Sequence, residues 1–380
     1  MALFASQAGV IVLTPILVLV AREFDVTTAA AGQLRMIGGL VAGCTALVFG
    51  RHWRRIALRD LLMAGAVLLA LGCLASAAAP AFLVLAAAQV PIGIAVALLI
   101  SAGTTAAGEW APAHGRSVLA RTLVGPPAAW IVGMPIIGLV AQVDWRLSFL
   151  VLPLVASMIV VGALAMCRPG TLPKPRDIVP FRDLAQDPAL RAWMIAETLA
   201  QSAWVGTLVF CGALLVESYA TSPELTGVLL AIVAAAYIPG NLLATRMLRS
   251  RSPLDLLPWL AAGAAVLVVG VGAFRVSIVA STLLLAALAL VVGGRTLVAG
   301  AFALATDPGR RLAVMGVRTA ANQFGYFIGA AVGGLALAWG GYTALGLAFG
   351  AMFAAATLVL LAFQWRRRDE AGGARPASAP

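Results

Sequence analysis

Charge is what this sequence is shortest of. Asp, Glu, Lys and Arg together make 11% of its 380 residues, against 62% hydrophobic. A water-soluble domain carries roughly a quarter charged residues, so too few are present here to cover an aqueous surface. Lysine is almost missing: 25 of the 26 basic residues are Arg and the other is Lys174, a compositional bias with no function attached. The two histidines, His52 and His114, fall in predicted loops and offer no metal site. Cys44, Cys73, Cys167 and Cys211 stand alone in or beside apolar runs, without the paired spacing of a zinc site or a disulfide framework. There is no Walker A sequence, hence no ATP-hydrolysing loop of that kind. No Ser/His/Asp or metal-ligand constellation marks an enzyme, and no cofactor is expected.

The abundant feature is the long apolar run. Crossing the hydrocarbon takes about 20 apolar residues in a helix, because no water is there to satisfy free backbone groups. Such runs occur at 3–21, 29–50, 60–78, 81–107, 117–141 and 146–167, then at 191–216, 224–246, 254–274, 277–303, 313–338 and 342–364. The first has no basic segment before it and is long enough to span, so it reads as a membrane helix and not as a signal peptide. The net charge of +11 does not point to nucleic acid, because the charges sit in short clusters between the runs, as in membrane loops. The fold expected is an all-α membrane protein of twelve transmembrane helices, with the lipid bilayer as its solvent.

Arg and Lys crowd the connections after even-numbered spans, from Arg51, Arg54, Arg55 and Arg59 to Arg366, Arg367 and Arg368, whereas those after odd-numbered spans hold Arg22, Arg146 and Arg275. The bias places both termini in the cytoplasm of a cell with the chain in its cytoplasmic (inner) membrane. The Pro-rich, charged stretch 168–190 divides the chain into six-helix blocks at 1–167 and 191–364, and 365–380 has the composition of a disordered cytoplasmic tail. A shift of 195 residues brings the blocks into register: Arg51 on Arg246, Arg54 on Arg249, Asp60-Leu61-Leu62 on Asp255-Leu256-Leu257, Gly32 on Gly227. One further residue of offset lays Trp130, Gly133 and Gly138 on Tyr326, Gly329 and Gly334. Parallel repeats of this kind imply two bundles related by a pseudo-twofold along the membrane normal.

On these features the chain resembles the major facilitator superfamily, in its drug and metabolite efflux branch. The segment GRHWRRIALR (50–59) keeps Gly50, Arg55 and Arg59 of the family's loop motif, with Arg54 for its Asp and Ala57 for its second Gly. GMPIIG (133–138), carrying Gly133, Pro135 and Gly138, is similar to the antiporter motif of the fifth helix, and QVPIGIA (89–95) has Gln89 where the fourth-helix motif carries an Arg. The resemblance implies that helices 1, 4, 7 and 10 line a central cavity, that the chain works as a monomer, and that it moves a small-molecule substrate by alternating access.

Ionisable groups inside a membrane are costly and are functional candidates by default. Glu197 is the one carboxylate well inside a predicted span, and Arg295 lies on another cavity helix. Two readings stand: a proton- or substrate-sensitive ion pair, or a solvated carboxylate beside an Arg that snorkels. Arg35 is either an outer gate paired with Asp25 or Glu23, or a snorkelling side chain; Arg121 and Arg318, each about one turn into its helix, are expected to snorkel to the cytoplasmic interface or to fix helix ends. Gln7, Gln89, Gln201, Trp204, Asn322, Gln323 and Tyr326 are the candidate substrate contacts, suited to a neutral or weakly charged, partly apolar solute, with interhelical hydrogen bonding as the competing use. The expected function is proton-coupled efflux of a small organic solute. The alternatives are a uniporter or importer of a metabolite, which Gln89 favours, and a non-transporting sensor on the same fold.

Overall fold

A computed structural model describes residues 1–52, 56–110, 121–122, 124–166 and 181–373. Among these residues, nine helices are long and apolar enough to cross a membrane. One of the nine, Pro308–Gly373, is two spans joined at Gly340 and Gly341, where the backbone leaves the helical region and Gly341 takes φ +62°. With Thr28–His52 and the shorter apolar helix Gly125–Ala141, the described residues form twelve spans.

The first half comprises α1 (Ala2–Glu23), α2 (Thr28–His52), α3 (Leu58–Ala77), α4 (Phe82–Glu109), α5 (Gly125–Ala141) and α6 (Leu147–Ala165). The second comprises α7 (Pro188–Tyr219), α8 (Pro223–Met247), α9 (Pro253–Ala273), α10 (Ile278–Ala305), α11 (308–339) and α12 (342–373). Local chemistry sets several boundaries. Asp187, Ser222 and Ser252 each accept a hydrogen bond from a first-turn amide, and each is followed by Pro at the first helical position, where its missing N–H costs nothing. Inside helices proline acts the other way, removing a bond to the carbonyl four residues back. The ladder of α1 is interrupted around Val12, just before Pro15, and α6 opens into a π turn over Leu150–Leu154 around Pro153.

Three boundaries differ from the sequence reading. α7 starts at Pro188 and a short helix, Phe181–Gln186, precedes it, so the end of the 168–190 connection is helical. α11 begins at Pro308, five residues before the predicted 313. α12 continues through Arg366 and Arg367 to Gly373, into the segment assigned to a tail, because no proline interrupts the helix there. Residues 168–180 and 374–380 lie outside the described residues.

The two bundles pack alike. In the first, α1 lies on α5, α2 on α4, and α3 on α4 and α6; in the second, α7 lies on α11, α8 on α10, and α9 on α10 and α12. The pairings repeat with every index raised by six, which is the pseudo-twofold relation. The bundles meet along α1–α7, α2–α11 and α5–α8. Trp110, Trp259 and Trp365 are exposed near the end that carries the chain termini, as interfacial aromatics of a membrane belt are.

Candidate functional site

α7, α10 and α11 bring three charges together inside the second bundle. Glu197 lies nine residues into α7 and Arg295 ten residues before the end of α10, so both are about 14–15 Å from the terminal end at 1.5 Å per residue. Their side chains are 1% and 2% exposed, and Arg295 Nη1 donates to Glu197 Oε2 at 2.7 Å. Neither side chain is open to solvent in this conformation. Arg295 Nη2 also donates to Gln201 Oε1 at 3.4 Å, one turn further along α7. A second guanidinium stands on the other side: Arg318 Nε is 3.5 Å from Glu197 Oε1, and Arg318 Nη2 donates to the Thr296 carbonyl at 2.8 Å. Arg318 therefore does not snorkel. The sequence placed it about one turn into its helix, and the earlier start at Pro308 carries it deeper. Trp204 stacks on Tyr237 nearby, with centroids 6.3 Å apart and planes at 24°.

Arg35 sits elsewhere, at the contact between the bundles. Neither Glu23 nor Asp25 reaches it. Glu23 is taken by Arg146 and by the Trp145 indole N–H, a clamp that also stacks Arg146 on Trp145 and Phe24 and sends Arg146 Nη2 to the Ala79 carbonyl at 3.1 Å. Arg35 is instead 6% exposed, with its guanidinium carbon 5.3 Å from the centroid of Tyr326 on α11. It lines a small cavity with Gly38, Gly39, Gly93, Gln323 and Tyr326, which has room for little more than a water molecule.

The remaining candidates divide between packing and the interface. Gln7 accepts from the Trp130 indole at 3.2 Å. Gln89 is buried, its amide nitrogen bonded to the Leu85 carbonyl of its own helix and its oxygen without a partner. Asn322 is half-buried on α11. Arg59 donates to the Leu164 carbonyl at 3.0 Å and approaches Asp60 at 3.8 Å, tying α3 to α6. Gly50 lies in the last turns of α2, and Arg55 lies outside the described residues. Gly133 faces Ile11 and Leu152, where a Cβ would come within 2.7 and 2.8 Å, and Pro135 lies inside α5. Gly138 meets Gly227 and the Pro223 carbonyl of α8.

That last contact belongs to a seal at the end remote from the termini. There Gly212 of α7 packs on the Thr14 carbonyl of α1, and Gly334 of α11 on Ala29 and Gln33 of α2. Thr28 donates to Glu217, Gln33 Nε2 to the Ala330 carbonyl at 3.0 Å, and Gln142 Nε2 to Glu224 Oε2 at 2.7 Å. Tyr342 completes the Glu217 site by donating at 2.9 Å. Sequence reading missed these seal residues, because polar side chains at helix ends look like ordinary loop residues until the bundles are docked.

The sequence profile of the Major Facilitator Superfamily matches residues 1–307. Among solved structures, the fold is shared with a D-xylose–proton symporter at TM-score 0.76 and 14% identity, over 95% of this chain and 96% of that one. A nucleoside transporter, NupG, aligns at TM-score 0.75 and 13% identity over 96% and 98%. A bacterial homologue of the human lysosomal transporter Spinster, in an inward-facing and unoccupied conformation, aligns at 0.73 and 12% over 95% and 93%. No curated protein matches the chain by sequence. At these identities the structural likenesses establish the fold and leave the substrate open.

Proposed function

The chain belongs to the Major Facilitator Superfamily, and on that premise we propose that it exports a small organic solute in exchange for protons by alternating access. Membership makes it a multi-pass membrane protein and a secondary transporter. One observation supports the cycle above the others. At the remote end the bundles meet partly through backbone, Gly138 on Pro223 and Gly212 on Thr14, and partly through a few side-chain hydrogen bonds, while a buried cation faces a cavity between them. Close backbone approach and a small set of hydrogen bonds can break and re-form together, so the bundles can rock as bodies about that cavity. The Arg bias of the loops puts both termini and the 168–190 connection in the cytoplasm. The sealed end then faces outward, and the conformation is closed to the outside.

Glu197 and Arg295 carry the coupling in this reading, with Arg318 as a third member. An ionised carboxylate only accepts hydrogen bonds, whereas a protonated one also donates. Proton arrival at Glu197 therefore removes the charge that both guanidinium groups face and loosens the tie between α7, α10 and α11. Gln201 and Trp204 lie along the same helix, next to the group that changes charge, and with Gln7, Gln89, Asn322, Gln323 and Tyr326 form the proposed solute contacts. A second reading, uniport or import of a metabolite, is favoured by Gln89, an uncharged amide where the related antiporter motif places an Arg.

Flux of a broad solute panel in vesicles, with and without an imposed pH gradient, tests the proposal. Uphill flux that follows the proton gradient is expected in the wild type, and Glu197→Gln should lose it while inserting normally. Gradient-independent flux through the wild type would select the uniport reading.

A further inference from the structure

Arg35 is a buried cation with no anion beside it. It sits seven residues into α2, about 10 Å from the start of that helix, and is 6% exposed. An arginine stays protonated in any protein environment, and a buried charge is costly unless it is paired. Glu23 holds Arg146 and Trp145, Glu217 holds Thr28 and Tyr342, and Asp25 makes no ion pair with Arg35. The Tyr326 ring at 5.3 Å offsets part of the cost through its π face, but a ring accepts no guanidinium hydrogen bond in the plane of the fork.

Arg35 shares its cavity with polar side chains of the second bundle. The cavity that Arg35 lines also holds the Gln323 amide, 3% exposed, and Tyr326. Gly38, Gly39 and Gly93 line it beside Val10, Ala42, Ile92 and Val96, and the helices pack closely there: a Cβ on Gly39 would lie 2.7 Å from the Phe327 amide nitrogen, and one on Gly93 2.6 Å from the Gly38 carbonyl. The cavity therefore lies where α2 closes on both α4 and α11. Arg35 belongs to the first bundle, Gln323 and Tyr326 to the second, so a ligand here touches both bodies of the rocking pair.

We propose that Arg35 binds the anionic group of the substrate, and that the transported solute is a monocarboxylate gripped between Arg35 on one bundle and Gln323 and Tyr326 on the other. This rests on the transporter reading and narrows its neutral or weakly charged class. The charge count selects the ligand: Arg35 is the one cation lining the cavity among the described residues, so a single negative charge neutralises it and a phosphate dianion does not. A planar carboxylate also matches the guanidinium fork. The cavity is too small for a carboxylate as it stands, so the ligand enters as α2 and α11 part.

Thermal unfolding of the purified full chain in detergent tests this, with acetate, lactate and benzoate as probes, their neutral amides as controls, and inorganic phosphate as a separate arm. At least one carboxylate should raise the midpoint while its amide does nothing. Arg35→Gln should abolish that shift and Arg35→Lys retain part of it. Without any probe, Arg35→Gln should unfold at or above the wild-type temperature, because an uncompensated buried charge has gone. A lower unliganded midpoint would make Arg35 a structural residue and overturn the proposal. So would the absence of a shift with every carboxylate, an equal shift in Arg35→Gln, an equal shift with the amide, or a response to phosphate alone. Counterflow in vesicles separates the two levels. Carboxylate binding without any exchange would remove the transporter reading and leave the site, whereas exchange of neutral solutes with no carboxylate response would do the reverse.

Discussion

At Glu197 two guanidinium groups converge on one carboxylate, and they differ in how much of the site depends on them. Arg295 is fully buried and makes the 2.7 Å bond, whereas the Arg318 side chain is 23% exposed and stands 3.5 Å away. Removing one partner of a buried pair costs about 3–5 kcal/mol, while a partly solvated partner is worth far less. Arg295→Ala should therefore lower the thermal midpoint of the purified chain clearly, and Arg318→Ala only slightly. Equal losses would mean that the two cations share the carboxylate evenly. The pair itself was legible in the sequence, because a single carboxylate deep in an apolar run has few reasons to be there. Its third member was not, since one misplaced helix start hid how deep Arg318 lies. Arg35 was misread for a different reason. Its depth is visible in the sequence, but its rotation about α2, toward Tyr326 and away from Glu23, is decided by how the bundles dock.

Helices meet across the bundles where glycines coincide. Gly138 of α5 and Gly227 of α8 each leave room for the other's Cα, at 3.2 and 3.3 Å from the Cβ that neither carries. Their counterparts one repeat away pack differently, Gly334 of α11 on Ala29 and Gln33 of α2, and Gly32 of α2 on the Phe210 ring of α7. A larger side chain forces backbone apart at such a point, and packed interfaces shift between discrete arrangements instead of yielding gradually. Gly138→Leu should still insert but lose the closed remote end, so that a cysteine at Gln142 reacts faster with a membrane-impermeant thiol reagent than the same cysteine in an otherwise unchanged chain. An unchanged rate would mean that the crossing adjusts locally. The repeat offset that pairs these glycines was readable before any coordinates, because it needs only the sequence shifted on itself. Which glycines touch which was not, since a glycine facing lipid and one facing a neighbouring helix look the same in a run of apolar residues.

For the whole molecule, the proposed cycle has two bundles sharing one seal, with the direction of that seal assigned from the loop charges. Reporter fusions after Pro380 and within 168–180 should show cytoplasmic activity, and periplasmic activity at either place would reverse the assigned orientation. Twelve spans in two repeated bundles were accessible from apolar run lengths and internal repetition alone. The seal was not, because Thr28, Gln142, Glu217 and Glu224 acquire their meaning only when the bundles are brought together. The central claim is that this seal must open once per transport cycle. Its most direct test replaces Thr28 and Glu217 with cysteines in a chain whose four native cysteines have been removed, and measures flux in vesicles before cross-linking, after a reversible thiol cross-link, and after reduction. The account predicts flux before the cross-link, none while α2 and α7 are tied, and recovery on reduction. Undiminished flux through the cross-linked protein would contradict it.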